Sequence, residues 1–113
     1  MGSMNKAILM GRLTADPETR YTTDEKPVTH FSIAVERPQK NGEKAVDFFN
    51  CTAWEGLAKI CGEYLKKGRL VAVEGRIQIR KYKNKEGENR TSTEIVANNV
   101  QVLDWLKKAK KEA

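Results

Sequence analysis

Asp47-Phe48-Phe49-Asn50-Cys51-Thr52-Ala53-Trp54 alternates in chemistry with a period of two. Successive side chains of a strand point to opposite sides, so odd positions Phe49, Cys51 and Ala53 read as core while Phe48, Asn50, Thr52 and Trp54 face the other way. Two large rings are thereby left on the outward face. The stretch 70–82 repeats the pattern: Val71, Val73, Gly75, Ile77 and Ile79 form the apolar series, and Arg76, Gln78, Arg80 and Tyr82 share the opposite face. Such a surface offers planes for stacking beside partners for phosphate, which is what an unpaired nucleic-acid strand requires.

The rest of the chain alternates with helical interruption only once. Residues 5–13 set Ile8 and Met10 against Leu9 and Leu13, with Gly11 as a bulge or point of close approach, and Asp16-Pro17 breaks the strand. A short extended piece around 19–22 leads through Asp24-Glu25-Lys26-Pro27 to a strand in which Phe31, Ile33 and Val35 alternate with His30, Ser32 and Ala34, and which Pro38 should end. Asn41-Gly42 marks a turn with positive φ, so 28–37 and Ala45–Trp54 are expected to form a hairpin with a charged tip. Leu57, Ile60, Cys61, Tyr64 and Leu65 recur at helical spacing, and Lys66-Lys67-Gly68 supplies cations and a glycine where a helix should stop. Strands over Leu70–Lys83 and 90–102 then flank the polar Asn84-Lys85-Glu86-Gly87-Glu88-Asn89, suited to a second long hairpin. This order predicts an all-β chain: a five-stranded OB-fold Greek-key barrel with one short helix between strands 3 and 4. The barrel is expected to occupy 4–103. Met1-Gly2-Ser3 ahead of Met4 reads as a cloning scar, and 104–113, with Trp105, Leu106 and four lysines, as a basic C-terminal tail able to form a frayed helical turn.

A chain of 113 residues suits one small domain, and 21 Lys and Arg against 15 Asp and Glu give it a formal charge of +6. That balance suits nucleic acid or an acidic membrane surface. The membrane option weakens because no apolar run approaches the roughly 20 residues that span a bilayer, and the basic residues spread over strand-like segments. Cys51 and Cys61 fall at apolar positions, as reduced thiols used as small hydrophobes do, so the expected compartment is the cytoplasm. Two cysteines and one histidine make no zinc set, and no metal or cofactor is expected. His30 has no partner in a motif, and Asp47, Glu74 and Glu94 read as local salt-bridge or hairpin partners. With no glycine-rich phosphate loop, Walker lysine or nucleophile elbow, no catalytic residue is assigned and an enzyme is not expected.

Every base has a π-face, so stacking on rings tolerates any sequence and contributes roughly 1–3 kcal/mol per base. Phe48, Trp54 and Tyr82 are the expected stacking residues, the first two about 20 Å apart along one strand at ~3.3 Å per residue. Arg76, Arg80, Lys81, Lys83 and Arg90 would track phosphates between them, Arg37, Lys66, Lys67 and Arg69 would extend the track, and Lys6 and Arg12 complete the set. Rings on a strand often pack instead in a second layer or a subunit interface, and arginines often line a merely solvated face. Here the opposite-parity residues already supply a core, which favours stacking, although a slip of one residue would exchange Phe48 with Phe49.

Several blocks together resemble the bacterial single-stranded DNA-binding protein family: Met4-Asn5-Lys6, Gly11-Arg12-Leu13, Asp16-Pro17-Glu18 with Arg20-Tyr21, Phe31-Ser32-Ile33-Ala34-Val35, Asp47-Phe48-Phe49-Asn50-Cys51, Tyr64-Leu65-Lys66-Lys67-Gly68 and Val73-Glu74-Gly75-Arg76-Ile77. The resemblance implies an OB-fold that assembles as a homotetramer and wraps single-stranded DNA in replication, recombination and repair. It also places the family's stacking positions on Phe48, Trp54 and Tyr82, and its subunit contacts around 5–13 and on outward sheet faces. A further family aromatic should follow the second strand, where Pro38-Gln39 stands instead. Family members usually continue into a linker and an acidic tip, whereas this sequence ends in lysines, either cut back to the folded core or from a tail-less relative, which leaves replication and repair proteins only weakly implied as partners. Two other readings share the barrel: a protein-interaction module of a replication-restart complex with secondary nucleic-acid binding, and a cold-shock-like RNA binder, which would lack the blocks just quoted.

Overall fold

Strands that are apolar on one side only can bury that side by curling into a closed sheet. The computed structural model, which describes residues 2–38, 42 and 44–104, does this with β1 (Ala7–Leu13), β3 (Pro27–Arg37), β4 (Ala45–Trp54), β5 (Leu70–Lys83) and β6 (Asn89–Val102). Neighbours run β1-β5-β6-β4-β3, and Arg12↔Ala34 and Leu13↔Ile33 join β3 back to β1. The β4–β6 pairing is parallel and spans only Asn50↔Glu94 to Thr52↔Val96; the other pairings are antiparallel. A five-stranded barrel in this order is the expected OB-fold, with α1 (Glu55–Tyr64) between its third and fourth strands.

Outside the five-stranded barrel the sheet carries one short additional edge strand. The extended piece anticipated near residue 20 is β2 (Glu18–Tyr21), paired with β3 from Glu18↔His30 to Tyr21↔Pro27. All four of its residues are exposed, so its backbone ladder rather than a buried face holds it. The turn after Pro38 falls mostly outside the described residues: Gly42 is placed, with φ +73°, while Gln39 and Asn41 lie outside. Met1 and the segment 105–113 lie outside as well.

Ile33, Val71 and Val73 fill the barrel with no exposed surface, joined by Leu13, Phe31, Cys51, Ala53 and Ile95. Burial pushes the Cys51 thiol up to about 12 and that of Cys61 up to about 11, so both stay protonated and act as small apolar groups. The helix corrects part of its expected apolar face. Ala58, Cys61 and the following Leu65 are buried, whereas Ile60 and Tyr64 are exposed. The helix is fastened instead by a polar clasp, in which the buried Thr29 hydroxyl donates to the Ala58 carbonyl at 2.7 Å and meets Thr19 at 2.8 Å.

Two glycines allow the strands to cross closely. A Cβ on Gly11 would press on the Ala34 carbonyl, which fulfils the expected close approach, and one on Gly75 would press on the Val96 carbonyl. Gly75 lies where the β5–β6 register jumps from Glu74↔Asn99 to Gly75↔Ala97, leaving Asn98 as a bulge. The jump changes parity in β6, so Val100 and Val102 on one side of it and Ala97 and Ile95 on the other all join the core. Beyond Gly75 the apolar series of β5 leaves the barrel: Ile77 and Ile79 are 43% and 62% exposed, against the expectation that they are core. The reason is geometric. β1 pairs with β5 only as far as Gly75 and β4 with β6 only over Glu94–Val96, so the rest of β5 runs out with β6 into an arm that is two-stranded beyond Gln78 and leaves Ile77 and Ile79 open to solvent. Among the described residues no helix is long and apolar enough to cross a membrane.

Candidate nucleic-acid interface

Register sets the outward residues of five strands in rows. Arg12, Ala34 and Phe48 lie side by side across β1, β3 and β4; Ser32, Asn50, Glu94 and Gln78 across β3, β4, β6 and β5; and His30, Thr52, Val96 and Arg76 across the same four strands. Trp54 stands opposite Val28, and the arm adds Arg80 beside Ser92 and Tyr82 beside Arg90. The three expected rings therefore occur on one outward surface. Phe48 is 69% exposed, Trp54 42% and Tyr82 52%, while Phe49 packs against the core, so the register that fixes their parity is the expected one.

Between the rows runs a groove of about 540 Å³ lined by His30, Ser32, Asn50, Thr52, Arg80 and Glu94, among others. A second hollow of about 550 Å³ follows the arm along Lys81, Tyr82, Lys83 and Arg90. Thr52 departs from the sequence expectation: it is buried, because its hydroxyl donates to Glu94 Oε2 at 2.7 Å and lies 3.2 Å from His30 Nδ1. Asn50 and Ser32 remain on the groove wall as unassigned polar groups, flanked by rings to either end of β4.

The eleven expected phosphate partners divide by what already holds them. Arg76, Lys81 and Lys83 on the arm, and Lys66 and Lys67 in the turn after α1, are exposed and form no ion pair with the described residues. Arg80 Nε meets Glu94 Oε1 at 2.7 Å, Arg90 lies 3.3 Å from Glu88, and Lys6 lies 2.7 Å from Glu74. Arg12 donates to the Gly68 carbonyl at 3.0 Å and stands 3.8 Å from Asp104, a carboxylate that also faces Arg69 at 3.6 Å. Arg37 is held most completely. Its Nε and one terminal nitrogen donate to the two Asp47 oxygens at 2.9 and 2.7 Å, and this forked bond holds the Asp47 carboxyl below its ordinary range and raises the guanidinium.

Rings, groove and free cations thus converge on β4 and the β5–β6 arm, whereas Lys66 and Lys67 stand off the rows. His30 has no partner within its own stretch of sequence, since Thr52 lies 22 residues away and Glu94 a further 42 beyond it. Only the parity of three separate strands, taken together with their pairing, could have revealed that contact.

The single-strand binding protein family model matches residues 4–103. The chain is 48% identical over 103 residues to the single-stranded DNA-binding protein of Halalkalibacterium halodurans, a match covering 89% of this chain and 61% of the relative. It is 47% identical over 108 residues to that of Thermotoga maritima, covering 92% and 77%, and 44% identical over 103 residues to single-stranded DNA-binding protein A of Bacillus subtilis, covering 89% and 60%. The chain accordingly spans about three fifths of the length of the first and last of these relatives.

Proposed function

The chain belongs to the single-strand binding protein family, and from that premise we infer that it binds and protects unpaired DNA without regard to sequence and without catalysing a reaction on it. The observation that carries the reading is the shared outward surface of Phe48, Trp54 and Tyr82, with Arg76, Lys81 and Lys83, which pair with no carboxylate among the described residues, beside them. Bases released from a duplex would stack on the rings, and the cations would neutralise the sugar-phosphate chain between them. A duplex hides its base faces and would be held by charge alone.

Replication, recombination and repair are the processes that expose such strands, and the bacterial cytoplasm is where this reading places the protein. Exposed Ile8 and Met10 on β1, with Ile77 and Ile79 on the arm, support self-association into a homotetramer that lets one strand pass over several copies of the surface. Residues 4–103 would carry the binding, with the lysines of 104–113 adding charge. Anisotropy of a labelled oligo-dT, titrated with protein and competed with duplex DNA and with RNA of the same sequence, tests the reading. Single-stranded DNA is expected to compete best; competition by duplex on equal terms would remove the role of stacking. Native mass measurement with and without oligo-dT gives the number of subunits, and a monomer in both would remove the tetramer.

A further inference from the structure

Under the groove a line of hydrogen bonds crosses four strands, from Arg80 on β5 to Glu94 on β6, Thr52 on β4 and His30 on β3. Glu94 is its hub: Oε1 accepts from Arg80 Nε at 2.7 Å and Oε2 accepts from the Thr52 hydroxyl at 2.7 Å, and its side chain is only 11% exposed. A hydroxyl carries one proton, and Thr52 has given it to Glu94. Its contact with His30 Nδ1, at 3.2 Å, must therefore be one in which the ring nitrogen donates. His30 is fixed with Nδ1 protonated and Nε2 as its remaining polar edge. Arg80 is fixed in the same way: its Nε is spent on Glu94, while its terminal nitrogens, with four N–H groups, remain for a ligand in the groove that Arg80 lines.

We propose that Glu94 is a positioning residue for DNA binding, whose carboxylate aims Arg80 at a phosphate and orients His30 through Thr52. The inference rests on the DNA-binding reading above. It runs against what charge alone predicts. A carboxylate on a face that binds a polyanion should repel it, so on charge alone removing Glu94 would tighten binding and steepen its salt dependence. Positioning requires the opposite. Glu94→Gln is nearly isosteric but has one acceptor oxygen where two are used and no charge: it can keep Arg80 only by turning its amide nitrogen to Thr52, which reverses that bond, and the bond Arg80 keeps is no longer charge-assisted.

The test measures the affinity of oligo-dT at several salt concentrations for the unmodified protein, Glu94→Gln, Arg80→Ala and the double variant, with thermal midpoints alongside. Glu94→Gln is expected to bind about two- to ten-fold more weakly, the worth of one hydrogen-bonded contact. Its slope of log affinity against log salt should be shallower by about 0.7, one phosphate contact on a single strand. In the Arg80→Ala background the same change should have less than about a two-fold effect, because the group it acts through is gone. Arg80→Lys, at an exposed side chain, keeps the test open if Glu94→Gln does not fold: it retains charge but loses the fork, and should weaken binding as Glu94→Gln does. Equal or tighter binding by Glu94→Gln, the same loss with and without Arg80, or unchanged binding by Arg80→Lys would overturn the role of Glu94. If the unmodified protein itself fails to bind oligo-dT, the DNA-binding reading fails first and the inference with it.

Discussion

A ring that receives a base must be exposed before the base arrives, and removing it should cost binding without costing the fold. Phe48→Ala, Trp54→Ala and Tyr82→Ala are each expected to weaken oligo-dT binding by about 1–3 kcal/mol with little change in thermal midpoint, read by anisotropy and by calorimetry. A large fall in midpoint would mean that the ring is structural. Asp47 should behave in the opposite sense to Glu94. It takes two of the five N–H groups of Arg37 and sets a carboxylate against that guanidinium, so Asp47→Asn should free this edge for a phosphate, tighten binding and steepen the salt slope by about 0.7. Because the Asp47 carboxyl is lowered by Arg37, their bond is complete above the ordinary carboxylate range and is lost only as pH falls through that lowered value. Binding curves of the unmodified protein should therefore show no Asp47-linked change between pH 6 and 8. At this scale the sequence was legible where a residue's role follows from parity, as for Phe48 against Phe49. It was illegible for Thr52, whose burial depends on a carboxylate in a distant strand.

Elements were legible where a period carried them, and misread where the period says which side a residue takes but not what covers that side. Ile77 and Ile79 continue the alternation of Val71 and Val73, yet both are exposed, because β5 has lost β1 as a neighbour beyond Gly75 and leaves the closed part of the barrel there. Ile60 and Tyr64 match a helical period in the same way and still face solvent, since the small residues Ala58 and Cys61 bring α1 against the barrel. Gly75 itself can be tested. Its Cβ would meet main-chain atoms of β6 that cannot swing aside, so Gly75→Ala is expected to destabilise the fold by about 1–3 kcal/mol in urea unfolding, and an unchanged midpoint would contradict the close crossing of β5 and β6. The two core cysteines give a second measurement of the barrel. In native protein at pH 8 both should resist a thiol reagent, and in denaturant both should react, because burial holds them protonated at about 12 and about 11.

At the scale of the molecule, the barrel turns one-sided strands into a closed core and leaves one outward surface with rings, a polar groove and cations on an arm. Closure depends on the pairing of β1 with β3, a contact between segments about twenty residues apart that no local period announces. The element order made it legible, because strand, strand, strand, helix, strand, strand has few ways to close. The chain carries two tryptophans, and replacing Trp105 with Phe leaves Trp54 as the only indole fluorophore. Titrating that variant with single-stranded oligo-dT and with duplex of the same length, at several salt concentrations, should give saturable quenching by the single strand at lower concentrations than by the duplex. The single-strand affinity should fall with a slope of about −0.7 for each phosphate neutralised. An indole that does not respond to the single strand, or responds to both ligands at the same concentration, would contradict the account.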